Sequence, residues 1–329
     1  MIEQDIKINE SGKFSLDGKI TLPENGNDLP AVVLVHGSGS TDMDETVFEL
    51  KPFSDIAEYL SQQGIASIRY HKRTWVYKDV RKTPYFSVKE ETIDDAISAA
   101  KLIKQNPRVS PKKVFILGHS QGGMLAPRID AEGGDFAGII IMAGSPLKIT
   151  EIILRQCEES LDKIPSILKP IGRWQIKKIM QDFKQIEMLS DDEANTHNMW
   201  GPFKHINAYY FKEFNSHPSG NYLSDIQKPV FIFQGNKDFQ VSVDADFNEY
   251  KRILAGNPKL TFKLYDGLNH PLNSNTAKGT IADYKIPAKV DEGVMKDIAE
   301  WIIRQSRYAS TGLYKEPSHG GHGGCQVRF

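Results

Sequence analysis

The sequence has few cysteines, no long apolar run and almost no excess of either charge. Cys157 and Cys325 are its only two cysteines. They supply no disulfide framework and fit a reducing compartment. The formal net charge is −1, so no global field selects nucleic acid or an anionic membrane as partner. Apolar runs such as Ala31–Val35 are far too short to span a bilayer, and the start, Met1-Ile2-Glu3-Gln4-Asp5, is too polar for a signal peptide. These absences point to a cytoplasmic enzyme acting on a small molecule, and they leave homo-oligomerisation open. With 329 residues, 40% of them hydrophobic, the chain can bury a large core.

The pattern that follows alternates strands and helices. Phe14–Leu22 reads as a hairpin turning at Asp17-Gly18. Ala31–Val35 is continuously apolar and β-branched, as in a strand buried on both faces. Phe53, Ile56, Ala57 and Leu60 recur at helical spacing, with Gly64 as the stop. Ile65–Tyr70 is the next strand, and Ser87-x-x-Glu90 opens a helix carrying Ile93, Ala96, Ile97, Ala100 and Ile103. Val114–Leu117 and Ala137–Met142 are strands, and the rhythm resumes with Val230–Gln234, Leu260–Tyr265 and a closing helix over Val290–Arg304. This predicts an α/β fold with a mostly parallel sheet covered on both faces. Between its halves, 147–223 holds charged helical segments and a cluster of aromatics, which reads as a helical cap over a core made of 1–146 and 224–308. Residues 309–329 read as a flexible tail. Its His319, His322 and Cys325 are spaced for a metal, but glycine this dense makes ordering costly, so no metal and no cofactor is assigned.

The chain is organised around Gly118-His119-Ser120-Gln121-Gly122. Strand, Gly-x-Ser-x-Gly and helix together form a nucleophile elbow, with Ser120 at its strained apex. A serine hydroxyl needs a histidine to take its proton and a carboxylate to orient that histidine. Asp238 lies a few residues beyond the strand Val230–Gln234; Asp244 and Asp246 are rivals placed closer to the next helix. His270 lies beyond Leu260–Tyr265, with His71 as the main rival; His119 is expected to point away from the nucleophile and His36 to brace the loop His36-Gly37-Ser38-Gly39 from below. The order Ser–Asp–His, each at a strand's carboxyl end, favours Ser120, Asp238 and His270. Oxyanion donors are expected at the Gln121 amide, which opens a helix, and at the Ser38 amide in His36-Gly37-Ser38-Gly39. The acids Asp42, Asp44 and Glu45, and the bases Arg69, Lys72 and Arg73, read as a salt-bridged frame or a solvated face; a sharper alternative has one acid catching a substrate amine.

These stretches, with Gly235-Asn236-Lys237-Asp238 and Asn269-His270, resemble the α/β-hydrolase superfamily. Within it they resemble the serine-aminopeptidase/monoacylglycerol-lipase-like branch, which includes bacterial acyl and cinnamoyl esterases. The resemblance implies about eight strands and a helical cap after the sixth. It also implies a Ser120/Asp238/His270 triad with oxyanion amides at Ser38 and Gln121. One stretch departs from it: many relatives carry Asp-x-Arg-Gly where this chain has His71-Lys72-Arg73-Thr74. The expected activity is hydrolysis of a small or medium, partly apolar acyl or aryl ester through an acyl-enzyme, with Trp200, Phe203, Tyr209 and Tyr210 of the cap lining the substrate pocket. The alternatives are an aminopeptidase or amidase using the same triad, and an inactive binding protein on this fold.

Overall fold

The computed structural model describes residues 1–311 apart from Glu10 and Lys163. The eight strands are β1 (Ile2–Ile8), β2 (Leu16–Leu22), β3 (Leu29–Val35), β4 (Ala66–Tyr70), β5 (Val109–His119), β6 (Ile139–Met142), β7 (Val230–Gly235) and β8 (Leu260–Tyr265). They form one sheet in the order β1-β2-β4-β3-β5-β6-β7-β8. β1 and β2 pair antiparallel, as do β2 and β4, and every later pairing is parallel.

The central strands are apolar at every position because both of their faces are covered. Ala31, Val33 and Val35 of β3 point into one cluster with Val114 and Ile116 of β5, whereas Val32, Leu34, Phe115 and Leu117 point into the other. Helices α2 (Asp94–Lys104) and α3 (Gln121–Ile129) cover the first face, and α1 (Pro52–Gln62) and the last helix, α10 (Glu292–Thr311), cover the second. Between β6 and β7 comes a helical cap: α4 (Ile149–Leu161), α5 (Lys169–Ile186), α6 (Asp191–Thr196), α7 (Ala208–Asn215) and α8 (Ser219–Leu223); α9 (Asn248–Ile253) follows β7.

The register places the functional loops together. Val35 aligns with Gly118, His119 with Met142, and Gly235 with Tyr265. The chain segments leaving β3, β5, β7 and β8 therefore emerge from one edge of the sheet. β3 lies between β4 and β5, so the chain winds outward in both directions from there, which is where open α/β sheets form their crevice.

One expectation fails at the start of the chain. Asp17 and Gly18 are not a hairpin turn; they sit inside β2, paired with Lys7 and Ile6 of β1. The partner strand Ile2–Ile8 is largely exposed along an edge, so it carries no apolar signature. A Cβ on Gly18 would lie 2.5 Å from the Arg69 carbonyl, so the glycine serves a close strand approach. The turn lies further back, at Asn9, whose φ is +55°. The metal-capable side chains of the tail, at 319, 322 and 325, lie outside the described residues.

Candidate active site

At the end of β5 the chain bends through Ser120, whose φ of 53° and ψ of −117° are strained for a residue with a side chain. The strain is held on both sides: the Ser120 amide donates to the Met142 carbonyl at 2.9 Å, and α3 begins at the next residue. Gly122 permits the helix to approach, because a Cβ there would lie 2.2 Å from the Val35 carbonyl oxygen. Sequence and fold thus agree locally on why the elbow is rich in glycine.

The acid and base loops are bound to each other. Asn236 Nδ2 donates to Asp266 at 2.7 Å, the Gly267 amide donates back to Asn236 at 2.8 Å, and the Lys237 amide donates to the Leu268 carbonyl at 2.9 Å. Asp238, its side chain fully buried, accepts from the Gln240 and Val241 amides on Oδ1 at 2.8 and 3.0 Å. Its Oδ2 lies 2.7 Å from His270 Nδ1. The carboxylate can only accept, so in the neutral imidazole the proton sits on Nδ1 and Nε2 keeps its lone pair. Asn269 holds the base loop by accepting the Asn273 amide and donating to Asn273 Oδ1 and the Asn275 carbonyl. His270 and Ser120 line the same small cavity, of about 270 Å³.

Both amides expected to face an oxyanion belong to residues that line cavities at this edge. Ser38 lines this chamber and also a larger one, of about 1220 Å³, beneath the cap. Its N–H has no hydrogen-bond acceptor among the described residues. Gln121 lines the larger chamber, and its amide is the first of α3, where no intrahelical acceptor exists. Trp200, Phe203 and Tyr210 line the large chamber together with Phe211, Ile153 and Ile179. Tyr209 does not line it; that ring packs edge-on against Tyr85 at 5.2 Å, because successive residues of α7 face different sides.

The rival residues have other partners. Asp246 is buried and accepts from Ser145 Oγ at 2.6 Å, from the Ser242 amide at 2.7 Å and from Arg155 of the cap. Asp244 is exposed, with its nearest donor Asn248 Nδ2 at 3.4 Å. His71 Nδ1 accepts the Met43 amide at 3.0 Å. Asp44 accepts Arg69 Nε at 2.8 Å, and Arg69 also reaches Glu3 and Thr21, so this part of the charged loops is a frame. Arg73 forks onto Asp95 at 2.5 and 3.0 Å.

His119 forms a pair of its own with Glu45. The residue lines the small chamber, and its ring is 4.7 Å from that of His270. Nδ1 lies 2.9 Å from Glu45 Oε2, and Nε2 lies 3.3 Å from the His270 carbonyl, which can only accept. Burial alone would lower the His119 pKa, but Glu45 and the His270 carbonyl outweigh it and raise the pKa. Glu45 is likewise pushed up by burial and pulled further down by His119, His36 and the Gly37 amide, so it stays ionised. The other Glu45 oxygen accepts the Gly37 amide at 2.6 Å. A second histidine–carboxylate pair therefore ties the loop after β3 to the loop carrying His270.

Behind this lies a buried polar chain that sequence reasoning did not find. Lys72 Nζ donates to the Gly37 carbonyl at 2.8 Å and lies 3.7 Å from Glu91 Oε2. Glu91 accepts from Tyr210 Oη at 2.6 Å, and Tyr210 Oη accepts from Gln121 Nε2 at 2.7 Å. In sequence Lys72 and Glu91 lie among other charged residues, and no spacing marks them, Tyr210 and Gln121 as partners.

Comparison with known proteins adds a second line of observation. The family described as serine aminopeptidase, S33, matches residues 29–276. That span includes Ser120, Asp238 and His270. The chain belongs to the serine aminopeptidase S33 family. It is also 33% identical to the esterase EstD of Thermotoga maritima over 302 residues, covering 92% of this chain and 68% of that protein. Among solved structures it is similar to Est1E from Butyrivibrio proteoclasticus (TM-score 0.57, 13% identity, 92% of this chain and 98% of the other). It is also similar to the proline iminopeptidase of Mycobacterium smegmatis (TM-score 0.59, 13% identity, 93% and 100%). At those identities the structural likeness shows the α/β-hydrolase fold and nothing finer.

Proposed function

We propose that this protein hydrolyses carboxylic esters through a covalent acyl-enzyme. In this reading Ser120 attacks the ester carbonyl as His270 Nε2 takes its proton, and the Ser38 and Gln121 amides hold the oxyanion. His270, oriented by Asp238, then protonates the leaving alcohol and activates the water that releases the acid. The observation that carries it is the 2.7 Å contact between His270 Nδ1 and the buried Asp238, in a chamber that His270 shares with the strained Ser120. The likeness to EstD supports an ester as substrate.

The chamber under the cap suits a partly apolar acyl or aryl group, because isoleucines and aromatic rings dominate its wall. The same triad could serve an aminopeptidase, which must bind a free amine. The acids lining the two chambers are Glu45 and Glu91 among the described residues, and both already accept donors from the protein. That favours an ester over an N-terminal amine.

The test is a panel of p-nitrophenyl esters of varied chain length beside aminoacyl p-nitroanilides, run on wild type and Ser120→Ala. Ester turnover that disappears in Ser120→Ala, together with fluorophosphonate labelling at Ser120, is the expected result. Turnover of aminoacyl anilides alone would move the assignment to the aminopeptidase, and no labelling of a folded sample would remove the enzyme altogether.

A further inference from the structure

Lys72 is 2% exposed, and its ammonium is among the most deeply buried charges of the protein. Placing an ammonium there is costly unless its partners are well placed. Its nearest partner is not a carboxylate. Nζ lies 2.8 Å from the Gly37 carbonyl oxygen, whereas Glu91 is 3.7 Å away. Burial lowers the Lys72 pKa and outweighs Glu91 and Glu45, which favour the charged form.

The Gly37 carbonyl and the Ser38 N–H belong to one peptide group. A trans peptide is planar, and its C=O and N–H point in opposite directions. A cation that grips the carbonyl from the buried side therefore turns the N–H toward the chambers that Ser38 lines. The preceding peptide is fixed too, because Glu45 accepts the Gly37 amide at 2.6 Å. With both peptides held, the loop has little freedom to rotate the Ser38 amide away. The ammonium also polarises the amide, and an N–H whose own carbonyl is bound to a cation is a stronger donor.

We propose that Lys72 is a positioning residue of the oxyanion hole, orienting and polarising the Ser38 amide through the Gly37 carbonyl. The assignment rests on the reading of Ser38 as an oxyanion donor in ester hydrolysis. Glu91 supplies the counter-charge and links the device to the cap through Tyr210 Oη, which also holds the side chain of Gln121, whose amide is the other donor. Lys72 touches neither substrate nor reacting atoms. Its effect appears only where negative charge develops on the carbonyl oxygen, so it belongs to kcat rather than KM.

The experiment compares wild type, Lys72→Met, and the double variant Lys72→Met/Glu91→Gln, in which no orphan carboxylate is left. Each is assayed with p-nitrophenyl butyrate and with an alkyl trifluoromethyl ketone. The ketone reacts with Ser120 to form a hemiketal: the Oγ–C bond forms, the serine proton passes to His270, and the former carbonyl oxygen becomes an oxyanion in the hole. Removing one oxyanion donor costs about 100- to 1,000-fold in kcat; loosening one should cost about 100-fold in both Met variants, with KM changed by less than about threefold. Affinity for the trifluoromethyl ketone should fall in step with kcat. If the single variant does not fold, the double variant carries the test. A folded double variant that keeps kcat within about threefold of wild type, or that loses activity through KM with ketone affinity unchanged, overturns the assignment to Lys72. A wild-type protein that neither turns over ester nor labels at Ser120 instead overturns the hydrolase reading beneath it.

Discussion

His36 shows burial and charge in opposition. It follows β3 directly, packs against the rings of Phe53 and Tyr70, and is 1% exposed, with Nε2 lacking a hydrogen-bond partner among the described residues. Burial, reinforced by nearby Lys72, pushes its pKa from 6.5 down to about 4. The unfolded chain therefore binds a proton between those values that the folded chain refuses. Stability is complete above pH 6.5 and is lost as pH falls toward 4, by about 3 kcal/mol in all. Urea midpoints at pH 7 and 4.5 test this in wild type and His36→Leu: the loss on acidification should be about 2 kcal/mol smaller in the variant, and equal losses would remove His36 as the cause. Asp238 makes a different prediction. Asp238→Asn keeps the shape but presents an amide that can turn its N–H toward His270 Nδ1, favouring the wrong tautomer. The expected cost is on the order of 10³- to 10⁴-fold in kcat with little change in KM, read by steady-state kinetics. Loss confined to KM would mean that Asp238 shapes the pocket rather than orienting the base.

The strand-to-loop junctions carry the geometry of the site. β7 ends at Gly235, and a Cβ there would lie 2.0 Å from the Leu268 carbonyl oxygen. That contact is backbone, so it cannot move aside cheaply, and it belongs to the loop carrying His270. Gly235→Ala should therefore separate the acid and base loops. We expect destabilisation of about 2 kcal/mol or more by urea titration, together with a loss of kcat exceeding what the stability change explains. A variant that loses stability but retains kcat would show that the loops readjust independently of the junction. Such junctions also explain what could be read in advance. Strands buried on both faces advertise themselves as unbroken apolar runs, and the order of elbow, acid and base follows directly from their ends. The edge strand Ile2–Ile8 was invisible because an exposed strand needs no apolar side chains. The networks around Lys72, Glu45 and Glu91 were invisible for the opposite reason. In sequence a buried charge looks the same as a solvated one, and only the fold brings Lys72 to the carbonyl of a residue 35 positions away. The partners of His119, Glu45 beyond β3 and the His270 carbonyl, were invisible in the same way.

The cap and the core together define a space that neither would enclose. The large chamber takes Ser38, Arg81 and Gln121 from the core side, and Ile153, Ile179, Trp200 and Phe211 from the cap. The cap is fastened to the core by buried polar contacts as well as by apolar packing: Arg155 of α4 pairs with the fully buried Asp246, and Tyr210 of α7 reaches Glu91. This arrangement separates two properties. Ser120 and His270 line the small chamber of about 270 Å³, while the chamber of about 1220 Å³ that shares Ser38 with it has room for a bulky group. Reducing the larger volume should therefore alter which esters are accepted without altering the chemistry. Ile153, half-buried on α4, faces that volume, and Ile153→Trp fills part of it with a rigid ring. Across p-nitrophenyl esters from acetate to decanoate, kcat/KM for acetate should stay within about threefold of wild type, while values for the longest chains should fall about 10-fold or more, as one excluded methylene or two already predicts. The division of labour would be wrong if all chain lengths lost activity equally, because the cap would then act on the reacting centre. It would also be wrong if the long esters were unaffected, because the acyl chain would then lie elsewhere.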